Sequence, residues 1–331
     1  MKEKTYKALL VEEYGAGKFR RSITQRNISV LGEGGVLIKV RYTSLNYKDG
    51  LSARGHKGIT SKYPHTPGID AAGIVEESTD GIFTPGDEVL VTGYDLGMNT
   101  NGGFAEYIRV PSDWIVPLPA GLSQKESMML GTAGFTAALC INELKIGGIE
   151  PGMGRILVTG ASGGVGTLAV AMLSKLGYEV IASTGSIENQ DFLRSVGATE
   201  IIDRAEVYDM SGRPLLSGRW IGAIDNVGGN TLSSVLRSTK QWGTVCCVGN
   251  VESDKFECSV YPFILRGTRL VGVDSAEKKM PLRKEIWSKL AGGWKPAVLN
   301  DICREIVLDD IENEIQTILR GKITGRIVVR V

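Results

Sequence analysis

The chain has 331 residues, enough for roughly two domains at about 150 residues each. Lys plus Arg number 38 against 37 Asp plus Glu, a formal net charge of +1, and 42% of residues are hydrophobic. That balance argues against a disordered chain and lacks the basic excess of a nucleic-acid binder.

Glycine occurs 43 times without a G-X-Y period, which points to tight turns and close backbone approaches. Five cysteines, an odd number with Cys246 and Cys247 adjacent, speak against a secreted disulfide framework and for the reducing cytoplasm. The opening MKEKTYKALLVEEY holds only four consecutive apolar residues, too few for a signal peptide. Nineteen uncharged residues separate Arg155 from Lys175, but GASGGVG at their centre reads as strand, glycine turn and helix start rather than a membrane span.

From Tyr6 to about Leu122 short β-like runs (ALLVEE, VLIKVRY, AAGIVEE, DEVLVTG, FAEYIRV) alternate with turn residues. Ser123-Gln-Lys-Glu126 is a capping box, and a long helix is expected from it to about Leu144. Apolar runs each followed by a helical stretch come next: RILVTG, EVIAST, EIID, WIGAIDNV, TVCCVG and RLVGVDS. Runs without polar alternation fit strands covered on both faces, so a doubly wound parallel sheet of about six strands is expected. The tail returns to the earlier style, with a strand, a helix over 309–320 and the closing GRIVVRV. The division this predicts is an α/β chain whose β-rich domain takes 1–123 and 298–331, with a doubly wound domain over 124–297.

Gly160-Ala161-Ser162-Gly163-Gly164-Val165-Gly166 follows a strand and opens a helix, the position of a dinucleotide loop. Ala161 fills the first glycine position of G-x-G-x-x-G, leaving Gly163 and Gly166 in the remaining two. Glycines let the backbone approach a pyrophosphate, and helix N-terminal amides supply donors. An NAD site carries Asp or Glu at the end of the second strand. Here that strand ends in Ser183, Thr184, Gly185 and Ser186, and the carboxylate is missing. A hydroxyl-lined site tolerates a 2′-phosphate, and Arg204 is placed to pair with it, so NADPH is expected over NADH.

The strings SLNYKDGLS, HTPGIDAAG, GDEVL, GGFAEYIRV, GTAGFTA, VTGASGGVG, AIDNVGG and PFILRGTRLVGVDS resemble, over essentially the whole chain, the medium-chain dehydrogenase/reductase superfamily. Within it they are similar to the zinc-free acrylyl-CoA reductase and quinone oxidoreductase group. The resemblance implies a GroES-like catalytic domain, a Rossmann domain, a nicotinamide in the cleft between them, and a homodimer pairing the strand near 269–273 with its mate. It places SLNYKD as a strand-to-loop segment with Tyr47 beside the nicotinamide, gives Asn46 an orienting role and lets Asp49 hold the loop. It also puts Asn250 and the 263–265 segment with Ile264 around the nicotinamide, adds Ser275, and brings Thr132 and Thr136 near the cleft.

Zinc is not expected: no Cys precedes Cys140, and His56 and His65 are the only histidines. Without a Lewis acid, reduction of a carbonyl-activated substrate is favoured over oxidation of simple alcohols. Lys48, Arg54, Lys57, Arg266, Arg320 and Arg326 are candidate partners for CoA phosphates. The leading expectation is an NADPH-dependent reductase of a short 2-enoyl thioester. Quinone reduction is the alternative, and a non-catalytic NADPH-binding protein a third reading. No nucleic-acid or membrane partner is expected.

Overall fold

The structure, a computed structural model, describes residues 4–331. In chain order the elements begin with a hairpin of β1 (Thr5–Gly15) and β2 (Lys18–Asn27), then β3 (Val36–Ser44), α1 (Tyr47–Ala53), β4 (Asp70–Ser78), β5 (Glu88–Thr92), β6 (Tyr107–Val110) and β7 (Ile115–Pro117). The helix α2 (Gln124–Ile146) starts at the expected capping box: Ser123 N donates to Glu126 Oε2 at 2.9 Å and Glu126 N to Ser123 Oγ at 3.2 Å. Then follow β8 (Ile156–Thr159), α3 (Gly164–Lys175), β9 (Val180–Thr184), α4 (Gln190–Ser195), β10 (Glu200–Asp203), β11 (Trp220–Asp225), α5 (Gly229–Arg237), β12 (Thr239–Cys247), α6 (Tyr261–Arg266) and β13 (Arg269–Gly272). The chain closes with α7 (Met280–Ala291), β14 (Cys303–Val307), α8 (Ile311–Leu319) and β15 (Arg326–Arg330).

Two compact units emerge. The first comprises residues 1–132, 276–291 and 303–331, and the second 133–275 and 292–302. In the first, a sheet runs in the order β14-β15-β3-β4-β5-β7, with β6 also on β3. Strands β3, β4, β5, β6 and β15 are buried over most of their length, and Val36, Ile38, Val40, Val89, Val91 and Ile108 fill one core. Across α8, Ile311 and Ile315 are buried four residues apart, the spacing of one helical face. The last strand β15 lies inside the sheet, parallel to β14 and antiparallel to β3.

In the second unit β10-β9-β8-β11-β12-β13 form one parallel sheet, the six-stranded doubly wound architecture expected from the apolar runs. Its inner strands are buried along their whole length in β8, β9 and β11. From β8 the chain winds outward through β9 and β10, and from β11 the other way through β12 and β13. The reversal lies between β8 and β11.

Two local readings change. The expected continuous helix from Ser123 breaks at Gly131, whose φ of 53° and ψ of −158° are non-helical. The SLNYKD segment, read as strand-to-loop, starts a helix at Tyr47, with Asn46 as its N-cap.

Candidate active site

In the second unit the glycine turn starts at Gly160, which adopts φ +58°. Ala161 is buried and its N–H donates to Ser183 O at 3.1 Å, tying the turn to β9. A Cβ at Gly166 would stand 2.3 Å from the Gly160 carbonyl oxygen, so strand and helix meet only over a glycine. At Gly163 the nearest such atom is 3.4 Å away, so the protein itself leaves that backbone open. Gly163 is the N-cap of α3, and no side chain caps the helix. The amides that open α3 at Gly164 and Val165 therefore suit an anion.

At the tip of β9, Ser162 Oγ and Thr184 Oγ1 lie 3.4 Å apart, and Ser186 N donates to Thr184 Oγ1 at 3.2 Å. Asp203 pairs with Thr184 in register, which brings Arg204 beside the tip. The exposed Arg204 lies so close over Gly185 that a Cβ there would be 2.7 Å from its Nε. Thus Ala161–Val165, Thr184–Ser186 and Arg204 are assembled in one region of this unit. Asn250 is exposed beyond β12, Ser275 is half-buried beyond β13, and Ile264 lies in α6 with its side chain 68% exposed. These residues fit a dinucleotide: an uncapped helix start, neutral hydroxyls and one cation, with no carboxylate at the strand tip to repel a 2′-phosphate.

In the first unit a buried polar cluster underlies α1. Asn46 caps the helix, and Tyr47, its first residue, is 51% exposed. Asp49 is fully buried, its Oδ2 accepting from Asn46 N at 2.7 Å and its Oδ1 from Ile69 N at 2.8 Å. Burial, reinforced by the charge of Asp70, pushes the Asp49 carboxyl up to about 7. Asp70 Oδ2 accepts from Ser44 Oγ at 2.5 Å and Asn46 Nδ2 at 2.8 Å, while Oδ1 accepts from Thr132 Oγ1 at 2.6 Å. The Thr132 N–H also reaches both carboxylate oxygens, at 3.1 and 3.0 Å, which the break at Gly131 permits.

Arg326 completes the cluster. Its Nη1 donates to Asn46 Oδ1 and Leu45 O, both at 3.1 Å, and its Nη2 to Ser44 Oγ at 2.8 Å, 4.0 Å from Asp70 Oδ2. The Asn46 amide is thus held from both ends, by Asp70 on its nitrogen and Arg326 on its oxygen. Sequence reasoning found Asn46, Tyr47 and Asp49 but missed Ser44, Asp70 and Arg326 as their partners.

Among the candidate CoA cations, two are corrected. Arg326 is buried in this cluster, and Arg266 spends its guanidinium on the carbonyls of Arg237, Thr239 and Leu216. Lys57 pairs with Glu13 and sits over the Phe19 and Tyr63 rings. Arg54 and Arg320 are exposed and Lys48 half-buried.

The residues present do not fit a catalytic zinc. His65 is buried with Nε2 on the Gly97 carbonyl at 2.9 Å, and among the described residues no three His, Cys, Asp or Glu side chains group as metal ligands. Among the described residues, too, no helix is long and apolar enough to cross a membrane.

Residues 32–120 match the alcohol dehydrogenase GroES-like domain family, and residues 164–290 the family described as zinc-binding dehydrogenase. The acrylyl-CoA reductase AcuI of Ruegeria pomeroyi is 42% identical over 98% of this chain and 99% of its own. YhfP of Bacillus subtilis, which carries a provisional assignment as a quinone oxidoreductase, is 46% identical over 91% of each chain. Its crystal structure with NAD bound matches 99% of this chain and 100% of that one at a TM-score of 0.97 and 43% identity. The yhdH oxidoreductase of Salmonella enterica, crystallised in complex with NADP, matches 98% of this chain and 99% of its own at 0.95 and 42% identity. With the GroES-like and doubly wound architectures both present, this chain belongs to the medium-chain dehydrogenase/reductase superfamily, in the group that contains the acrylyl-CoA reductases and YhfP.

Proposed function

We propose that the protein is an NADPH-dependent, zinc-independent reductase of the activated C=C bond of a short 2-enoyl thioester such as acrylyl-CoA. The observation that carries the coenzyme choice is the tip of β9, where Thr184, Gly185 and Ser186 replace a carboxylate and Arg204 lies over Gly185. The near-full-length similarity to AcuI supports the substrate class. Residues 124–297 serve as the coenzyme domain, and 1–123 with 298–331 as the catalytic domain.

The Gly160–Gly166 turn, with Ser162, Gly163, Gly164 and Val165, receives the pyrophosphate on the amides that open α3, while Ala161 anchors the turn to β9. Arg204 pairs with the 2′-phosphate and Thr184 to Ser186 line its site. Asn250, Ile264 and Ser275 steady the nicotinamide end. When bound, the coenzyme supplies the hydride that adds to the β-carbon. Tyr47 offers its hydroxyl to the thioester oxygen on which negative charge develops, and Asn46, held by Asp70 and Arg326, fixes the turn that presents Tyr47. The substrate's α-carbon then takes a proton from solvent, which completes the two-electron reduction.

The kinship to YhfP favours a second reading, hydride transfer to a quinone. Following NADPH consumption with acrylyl-CoA and with a small benzoquinone separates the two: a large kcat/KM advantage for the thioester supports the first reading, and the reverse advantage replaces it. Arg204→Ala should raise the KM for NADPH about tenfold and leave that for NADH unchanged, the size of a charge-assisted pair at an exposed site. Equal losses with both coenzymes would remove Arg204 from the 2′-phosphate site.

The enzyme acts in the cytoplasm as a homodimer. The unpaired outer edge of β13 in the six-stranded sheet supports the dimer, since an open apolar edge invites strand addition.

A further inference from the structure

The string AIDNVGG has no role in the scheme above, yet it meets the glycine turn where the strand order reverses. Asp225 ends β11 and Thr159 ends β8, the two strands that flank the reversal. Open parallel sheets bind ligands beyond the carboxyl ends of strands at such a point. Asp225 is completely buried, its Oδ1 accepting from Thr159 Oγ1 and its Oδ2 from Gly228 N, both at 2.7 Å. Thr159 Oγ1 in turn accepts from Asn226 N at 3.0 Å, and Asn226 Nδ2 donates to Thr159 O at 2.8 Å. On the far side, the Asp225 carbonyl accepts from Val248 N at 2.9 Å and Gly249 N at 3.3 Å. A Cβ at Gly249 would stand 2.3 Å from Asn226 O, so the segments cannot slide past one another. One residue therefore joins the strand that leads into Gly160 to the segment that leads into Asn250.

A neutral side chain could brace these strands without the cost of burying a charge. The titratable groups that face Asp225 are Cys247, opposite it on β12, and Glu252, whose carboxylate accepts from Asn230 N and Thr231 N at the start of α5. Neither is a cation. Burial, with Glu252 acting in the same direction, already pushes the Asp225 carboxyl up to about 6. A pyrophosphate on the turn that follows Thr159 adds negative charge close to a carboxyl weakly screened by solvent, and so favours its neutral form further.

Resting on the proposed coenzyme role, we infer that Asp225 is a positioning residue of the dinucleotide site, fixing the Gly160 turn against the Val248–Asn250 segment and taking up a solvent proton when the dinucleotide binds. Neutral Asp225 keeps the bond from Gly228 N and, through its carbonyl, those from Val248 and Gly249, so protonation removes the charge and leaves the brace in place. The sign follows from linkage: affinity is highest below the free carboxyl's value and falls as pH rises through the higher bound value.

The test is a calorimetric titration of the full chain with NADPH at about pH 6, 7 and 8, in two buffers of different ionisation heat, for the unaltered protein and Asp225→Asn. The unaltered protein should take up more protons per NADPH, and its Kd should weaken from pH 6 to 8 about fivefold more than that of the variant, the part of a one-unit carboxyl displacement that this window spans. The 2′-phosphate titrates in both proteins and cancels. The variant, neutral like the protonated carboxyl, keeps the brace and should bind NADPH at pH 8 at least as tightly as the unaltered protein. Equal proton counts and equal pH slopes overturn the inference. Should Asp225→Asn fail to fold, Thr159→Val removes one donor to the carboxyl, and the pH at which affinity weakens should move upward; an unmoved profile overturns the inference. Saturable NADPH binding by the unaltered protein is read in the same experiment: its absence overturns the coenzyme reading and this inference together, whereas its presence with equal slopes overturns the inference alone.

Discussion

The carboxylate of Asp70 receives donors from Ser44, Asn46 and Thr132, with the Arg326 guanidinium 4.0 Å away, and neither member of that pair is solvated. Removing one member of a buried pair strands the other charge, a loss of about 3–5 kcal/mol. Arg326→Met should therefore lower the unfolding free energy by about that amount in urea titrations. A loss below about 1 kcal/mol would show that the hydroxyl and amide donors alone satisfy Asp70. Asp49 makes a prediction of opposite kind. Its carboxyl stands at about 7 in the fold against 3.8 when free, so the folded protein holds a proton that the unfolded chain has lost. Its contribution is intact below about 4 and is lost as pH rises to about 7. Asp49→Asn should flatten that decline, and unfolding curves measured at both ends of the window check it. None of this pairing was legible beforehand. Asn46 and Asp49 were found because they share a short string, whereas Arg326 stands 280 positions from Asn46 and reads locally as part of a strand that ends in basic residues. Only the sheet order brings it there.

At the scale of elements, the sequence was most informative where a backbone demand selects the residue. The Gly160–Gly166 turn could be placed because strand, glycines and helix follow one another within a dozen positions, and Gly166 sits where any side chain would strike the Gly160 carbonyl. Gly166→Ala should accordingly weaken NADPH binding at least tenfold and lower the Tm by a few degrees, about 1.5 °C for each kcal/mol lost in a protein of this length, checked by fluorescence titration and thermal melts. A silent substitution would mean that α3 can back away from β8. The break in α2 was not readable, because Gly131 lies in a run (GTAGFTA) whose composition suits a continuous buried helix. What breaks it is a tertiary partner, since Asp70 accepts from the Thr132 amide that an unbroken helix would have turned inward. The expected loop at Tyr47 failed for a related reason. The Asn46–Asp49 capping box is as good a start signal as the one at Ser123, but the following helix is only seven residues long and shows no periodicity.

For the whole molecule, the two architectures were legible from texture: short strands broken by turn residues at the start, and apolar runs each followed by a helix in the doubly wound sheet. The second texture has a physical cause, since β8, β9 and β11 are buried along their whole length as a sheet covered on both faces requires. The proposed dimer belongs to this scale. β13 has one hydrogen-bonded neighbour, β12, and Leu270 and Val271 are only half-buried. Val271→Asp should turn a dimer into a monomer in sedimentation, and a monomeric unaltered protein would dismiss the dimer outright.

The inner place of β15 bears on how the chain is made. The sheet of the first unit closes only when residues 303–330 have left the ribosome, because β15 pairs with both β14 and β3, and with it arrives Arg326. By then every strand of the second unit's sheet, which ends at Gly272, has been synthesised. Vectorial synthesis usually favours the N-terminal domain. Here it leaves β3 and the Asp70 cluster waiting, half-built, while the later-encoded unit has all it needs to fold. Nascent chains of the first unit are thus the ones with unpaired strands to protect, and a chaperone that engages them during translation has its work in the first 132 residues rather than in the coenzyme fold.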